Sequence, residues 1–291
     1  MNADHRALIP ADSSDGALRV MAEDGSFRVI AVSARDSVQA VIDAQQAHGH
    51  EAQALGELFL GAAMIRETMS PGQRLQMIVG GQGSVAADSH PTGMTRGILR
   101  RPERGPLDIE TNAQMQVMRA LYDGRLHQGI LEIEPGRGIS YALQKYLALS
   151  EQVESLVQVC VVIEGESVKV AVGYLVQRLP EAKESQILKM LEHEAALPPL
   201  RGAISESGDD SRAWMVARLL RDIPYVTLEE TEVFFGCNCS HGRVLGAVTT
   251  LGREELLDII SKREALQTDC DYCGAHYEIG VETLRGMLEL Q

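Results

Sequence analysis

Four of the chain's five cysteines fall in two close pairs, Cys237-Asn238-Cys239 and Cys270-Asp271-Tyr272-Cys273, with thirty residues between them. No other feature of the sequence restricts the fold as strongly. Ordinary buried cysteines have no reason to cluster in pairs, whereas zinc favours four soft ligands in a tetrahedron, and four thiolates make a closed structural site. A helical stretch between the pairs brings the two clusters together. Only 55 residues follow Gly236. A unit that small has a marginal core, so a metal staple is physically useful. The spacing assigns Cys237, Cys239, Cys270 and Cys273 as the ligands of one structural zinc.

Two competing chemistries fit less well. A thioredoxin-like CxxC needs a βαβ context and leaves Cys237 and Cys239 without a role. A catalytic zinc keeps an open position, which four thiolates deny unless His241 or His276 replaces one of them; both read instead as surface or supporting residues. The CxC spacing also bears on redox behaviour. Residues i and i+2 of an extended strand lie about 6.6 Å apart, near the upper limit for a disulfide. Oxidation within that pair is therefore coupled to a change of backbone shape, and metal-bound thiolates are the form that oxidants attack. Cys160 lies in the alternating pattern Val157 to Ile163 and reads as a buried free thiol.

The formal net charge of -14 repels free nucleic acid and anionic membrane surfaces. Arg96, Arg100, Arg101 and Arg104 form the one dense basic stretch, diluted by Glu103, Asp108 and Glu110. Met1 to Asp15 is polar, without the apolar core of a signal peptide, and no run approaches the length of a membrane span. A cytoplasmic protein is expected, in which five cysteines argue for metal or redox chemistry rather than a static disulfide framework. There is no GxSxG, HExxH or Walker loop. Gly80-Gly81-Gln82-Gly83 precedes another strand pattern rather than a helix, so it reads as a hairpin turn and not a phosphate loop. The chain is not expected to be an enzyme.

Periodicity predicts an α+β protein with a mixed-sheet core and packed helices. Leu18 to Ala22 and Phe27 to Val32 flank Asp24-Gly25 as a hairpin. Helices are predicted over Val38 to Ala47, capped by Asp36 or Ser37, and over Ala52 to Met69, ended by Ser70-Pro71-Gly72. Strand patterns follow at Leu75 to Val79, Val85 to Asp88, Thr95 to Leu99, Met115 to Tyr122 and Leu126 to Ile133, the last two joined across Asp123-Gly124. A helix is predicted over Ile139 to Leu149. A hairpin of Leu156 to Ile163 and Val168 to Val176 ends this core domain, residues 1–182. Residues 183–236 read as a helical connector without strand signals, with helices over Ser185 to Ala196 and Ser211 to Ile223 separated by Pro198-Pro199 and the polar stretch Ser205 to Ser211. Residues 237–291 form the small zinc-binding domain.

These motifs together resemble the redox-regulated heat-shock chaperone family of bacteria, heat shock protein 33. The core shows Val85-Ala86-Ala87-Asp88 followed by Gly93 and Arg96-Gly97, then Gln128-Gly129-Ile130, Tyr146 with Ser150-Glu151-Gln152, and Leu175-Val176-Gln177 with Leu179-Pro180. The last quarter shows Cys237-Asn238-Cys239-Ser240, Arg243, Leu251-Gly252-Arg253-Glu254-Glu255-Leu256, Cys270-Asp271-Tyr272-Cys273-Gly274 and Tyr277. Departures are Ala171-Val172-Gly173 in place of a double glycine, His241-Gly242 in place of a charged pair, and a poorly matched Ser185 to Ile223.

The resemblance implies an ATP-independent holdase, inactive when reduced and zinc-bound. Oxidation would form the disulfides Cys237–Cys239 and Cys270–Cys273, release zinc and unfold the C-terminal module. The connector would loosen and expose an apolar surface to unfolding client proteins, and the oxidised form is expected to be a homodimer. A zinc ribbon that binds nucleic acid is the alternative. It calls for basic and aromatic residues around the cysteines, where this chain has Glu254, Glu255, Asp258, Glu264, Asp269 and Asp271.

Overall fold

The Asp24-Gly25 turn joins β2 (Gly16–Ala22) to β3 (Phe27–Ser33), paired antiparallel from Gly16↔Ser33 to Met21↔Arg28. The structure is a computed structural model that describes residues 6–120, 124–202, 210–262 and 264–289. β9 (Ser155–Glu164) and β10 (Ser167–Arg178) form the second expected hairpin, and β10 pairs with β3. With β11 (Tyr225–Glu232) they make a five-stranded sheet in the order β11-β2-β3-β10-β9.

A seven-stranded sheet takes β1 (Arg6–Ala7), β4 (Arg74–Gly81), β5 (Gly83–Ser89), β6 (Met94–Arg100), β7 (Gln114–Ala120), β8 (Leu126–Glu132) and β12 (Phe234–Cys237), in the order β1-β12-β6-β5-β4-β7-β8. β12 runs parallel to β6 while β4 to β8 pair antiparallel, so the sheet is mixed. The glycine run is the hairpin turn the sequence predicts, with Gly81 opposite Gly83. Tyr122 and Asp123 of the predicted β7–β8 turn lie outside the described residues, as do residues 205–209 of the polar stretch.

Helix α1 (Arg35–Gln45) begins earlier than expected, and neither Asp36 nor Ser37 caps it. Asp15 does so from a distance: its carboxylate accepts from the Ser37 N–H at 2.6 Å and the Ser37 hydroxyl at 2.7 Å. Local sequence carries no sign of a cap 22 residues away. Helix α2 (Gly49–Arg66) is apolar around most of its circumference, and nearly every residue from Ala52 on is buried. It lies between the two sheets, against β4, β5 and β6 on one side and β9 and β10 on the other. Helix α3 (Gly138–Ser150) packs on β9, α2 and β8.

The segment 183–236 departs from the expected helical connector. Helices α4 (Glu184–Ala195) and α5 (Ser211–Leu219) are present, α5 ending four residues short of Ile223. The following residues are strand: β11 adds to β2 from Tyr225↔Ala22 to Glu232↔Gly16, and β12 follows. Nearly all of β11 is exposed at a sheet edge. No face is buried, so the apolar alternation that marks a strand is missing, and the run Glu-Glu-Thr-Glu hides the propensity of Tyr-Val-Thr.

The chain divides into two compact units, one of residues 7–236 and one that holds Cys237 onward. The connector segment falls in the first unit with the sheets. The second unit contains α6 (His241–Val248), α7 (Arg253–Ser261), the hairpin of β13 (Leu266–Asp269) and β14 (His276–Ile279), and α8 (Val281–Glu289). Its buried core is Val248, Leu256, Ile279 and Leu284. Among the described residues no helix is long and apolar enough to cross a membrane.

Candidate metal centre and covered apolar face

The β13–β14 register runs from Leu266↔Ile279 to Asp269↔His276, which leaves Cys270 to Ala275 as the loop of the hairpin. The Cys270 N–H donates to the Ala275 carbonyl at 2.9 Å, and the Gly274 N–H to the Cys270 carbonyl at 2.8 Å. Gly274 takes a left-handed φ of 68° to close this knuckle, a conformation that costs glycine nothing. Cys237 ends β12, and Ser240, just past Cys239, caps α6 by accepting from the Arg243 N–H at 3.3 Å.

The four sulfurs meet. All lie within 4.8 Å of one another, with Cys237 and Cys270 at 3.7 Å and Cys239 and Cys273 at 3.5 Å. A disulfide holds its sulfurs at about 2.05 Å, and none of the five cysteines is in one. A tetrahedron with metal–sulfur bonds of about 2.3 Å places its sulfurs about 3.8 Å apart. The donor set therefore fits a tetrahedral thiolate-bound ion. Burial, reinforced by the Cys239 and Cys237 sulfurs, pushes the Cys273 thiol well above its ordinary range. A hydrogen bond with Cys239 does the same to the Tyr277 hydroxyl. Sulfurs packed this closely ionise together only with a cation among them.

Among the described residues no histidine joins the group. His276 Nδ1 is 2.7 Å from Asp269 Oδ1, with both side chains largely exposed, and His241 is exposed at the start of α6. The contact of Tyr277 with Cys239 was not readable from the cysteine spacing. Cys160 lies far from the cluster in sequence, on β9. It is half-buried rather than fully buried, and burial, with the Glu57 charge, raises its thiol.

A second feature lies in the other unit. Asp210 caps α5 by accepting from the Arg212 N–H at 2.9 Å. The helix presses Trp214, Met215, Val216 and Leu219 onto one face of the five-stranded sheet, against residues such as Val20, Val29, Val172 and Tyr174. The Arg218 guanidinium stacks 4.5 Å above the Trp214 ring. His193 of α4 is buried beneath, its Nδ1 2.9 Å from the Leu219 carbonyl. Burying these four side chains and Leu220 contributes about 8–15 kcal/mol. Ordering the ten residues Ser211 to Leu220 costs about 15 kcal/mol. The helix is held at near balance over an apolar sheet face.

The Val85-to-Gly97 motif is structural. Asp88 is 1% exposed, bonded to Arg74 Nε at 2.6 Å and Arg96 Nε at 2.9 Å. Burial alone raises its carboxyl, but the hydrogen bonds and charges of Arg74 and Arg96, with the His90 ring nearby, outweigh it and hold the group well below the usual range. Gly93, at φ 84°, lies so close to the Glu232 carbonyl that a Cβ would stand 1.9 Å from its oxygen.

Comparison with known proteins agrees with this picture. The model of a family described as Hsp33 protein matches residues 15–280. The 33 kDa chaperonin of Syntrophotalea carbinolica is 30% identical over 288 residues, covering 94% of this chain and 99% of that protein. That of Shouchella clausii is 28% identical over 290 residues, covering 94% and 97%. The crystal structure of the 33 kDa chaperonin, a heat shock protein 33 homolog, from Thermotoga maritima superposes with a TM-score of 0.85 at 20% identity, covering 96% of this chain and 99% of that one. The α+β fold is the fold of that structure, and the chain belongs to the Hsp33 family.

Proposed function

We propose that this chain is an ATP-independent holdase of the cytoplasm, not an enzyme, held inactive by zinc at Cys237, Cys239, Cys270 and Cys273 and activated by oxidation. The convergence of the four sulfurs carries this reading. Zinc, when bound, supplies a structural staple. Apparent binding free energies of about 10–16 kcal/mol for such sites exceed the roughly 3–8 kcal/mol of net stability of a unit this size, so the fold of the second unit depends on the four ligands.

Oxidation within each cluster, Cys237 with Cys239 and Cys270 with Cys273, removes all four thiolates. Each bridge passes two electrons to an oxidant and consumes both ligands of its cluster. Cys237 and Cys239 must leave the extended spacing to form theirs. The second unit then loses its staple, and α5, near balance on the sheet, lifts away. The face beneath it is broad and apolar, suited to partly unfolded clients of any sequence, and the released form pairs as a homodimer. No nucleotide, nucleic acid or membrane enters the cycle.

The test is a client-aggregation assay on reduced and oxidised protein with released zinc measured alongside. Suppression that rises with zinc release supports the reading. Equal suppression in both states, or zinc release without suppression, overturns it.

A further inference from the structure

The buried histidine between α4 and α5 commits one of its two nitrogens to the fold. His193 Nδ1 lies 2.9 Å from the Leu219 carbonyl oxygen. A carbonyl can only accept, so Nδ1 carries a proton and Nε2 is left to face another group. Nε2 stands 3.8 Å from Asp222 Oδ2, too far for a hydrogen bond, although the His193 side chain is only 2% exposed. Arg221 Nε and Lys189 Nζ approach the same oxygen to 3.8 and 3.9 Å. Lys189 donates instead to the Asp222 backbone carbonyl at 3.3 Å. Two cations and an ionisable ring thus gather round one carboxylate without bonding to it.

Beside them lies a cleft of about 380 Å³, bordered by His193, Arg218 and Arg221, within the size range of small-molecule sites. Among the described residues no carboxylate lines it, in a chain whose net charge is -14. Arg218 is held in place by its stack over the Trp214 ring. Cations near a helix C-terminus are ordinary, since they answer the carbonyl dipoles. Here they also converge on an open space.

We propose that this cleft binds a compact tetrahedral dianion, sulfate or hydrogen phosphate, between Arg218, Arg221 and the protonated Nε2 of His193. Guanidinium donors match the geometry of such oxyanions. The rest of the lining, Ala196, Leu197, Pro198 and Ala217, offers no side-chain hydrogen bond to a base or sugar, so the class is the inorganic anion rather than a nucleotide. An anion against Nε2 favours the charged ring, so binding takes up a proton. The charged groups around the ring are Lys189 and Glu192 on α4, Arg218 on α5, and Arg221 and Asp222 in the turn after it; Glu194 accepts from the Tyr174 hydroxyl at 2.9 Å. Asp222 competes with the anion for the same donors. A bound anion ties the end of α4 to the end of α5. At ten times its dissociation constant it lowers the population of any state in which the two helices part by about elevenfold. The site does not rest on the redox reading, because its side chains stand in place while both helices are docked.

The test is isothermal titration of the full chain, reduced and zinc-loaded, with sodium sulfate against sodium chloride at matched ionic strength. Emission of Trp214, the only tryptophan, is followed alongside. Sulfate keeps both charges throughout the range used. The expected result is a saturable response near about 1 mM sulfate, a change in Trp214 emission as Arg218 turns to the anion, and an affinity about fivefold higher at about pH 6 than at about pH 8. Arg221→Gln, at an exposed position, weakens binding about tenfold. Asp222→Asn tightens it by removing the competing carboxylate, a gain that misfolding does not mimic. His193→Gln keeps a donor for the Leu219 carbonyl and abolishes the pH dependence. Arg201→Gln, outside the cleft, leaves the affinity unchanged. Adenosine monophosphate binds no more tightly than inorganic phosphate. A response no greater than that of chloride, an affinity indifferent to Arg221→Gln, equal affinity at both pH values, or tighter binding of the nucleotide overturns the proposal.

Discussion

Replacing Leu219 with alanine tests whether α5 is a cover. Leu219 is fully buried at the C-terminal end of α5, within the cluster that joins this helix to β2, β3 and β10. Truncating such a leucine costs about 2–5 kcal/mol. The helix has nine residues, too few to be stable alone in water, so the loss falls on its docking. Converted to populations, 2–5 kcal/mol raises the undocked fraction by about 30-fold to several thousand-fold. The reduced, zinc-loaded variant should therefore hold an aggregating client without oxidation, and Trp214 emission should move to the red. Leu143→Ala is the control. Leu143 is equally buried, on α3, and its loss should lower the melting temperature without client holding. If the two variants hold clients equally, general destabilisation explains the effect and the cover reasoning fails. The reasoning fails equally if Leu219→Ala moves Trp214 emission while client holding stays at the wild-type level.

Zinc-edge absorption on the reduced protein should show four sulfurs in the first shell, unchanged in His241→Ala and His276→Ala. Peptide mapping after oxidation should find Cys237 linked to Cys239 and Cys270 to Cys273, with Cys160→Ser altering neither zinc content nor activation; bridges between the clusters, where sulfurs already lie 3.5 and 3.7 Å apart, would count against the pairing. The depressed Asp88 carboxyl contributes stability that is complete above about pH 4, its unfolded value, and lost as pH falls from there toward the folded value. Asp88→Asn should cost about 3–5 kcal/mol at neutral pH and flatten the acid limb of a chemical-denaturation series. Asp15→Ala should cost about 1 kcal/mol by removing the α1 cap, read as a shift of the denaturation midpoint.

The cysteine centre was legible because its information is local. Cys237 with Cys239, and Cys270 with Cys273, are each a short segment whose ligand spacing limits the geometry, and the Asp269↔His276 register closes the second knuckle as its length requires. The hairpins were legible for a similar reason, since Asp24-Gly25 and Glu164-Gly165 mark turns between two apolar runs that lie next to one another in the sequence. Asp15 and β11 were not. The capping carboxylate reaches Ser37 through the fold, and β11 is recognised by its hydrogen bonds to β2 rather than by burial. The sulfurs that approach across the two clusters belong to the same class, because no spacing along one segment reports which atom of the other lies nearest.

The addition of β11 to β2 makes α4 and α5 a closed loop rather than a free tail. The 46 residues between Arg178 and Tyr225 leave the five-stranded sheet at β10 and return to it at β11. While β11 stays paired, a helix that lifts from the sheet is tethered at both ends, at an effective concentration in the millimolar range. Doubling the length of such a loop costs only about 0.6 kcal/mol in closure entropy, so its size hardly hinders return. Re-docking is then a first-order event whose rate does not depend on how much protein is present. A client on the exposed face competes with this tethered segment at every moment, and its residence ends when its own apolar segments are no longer available to win that competition.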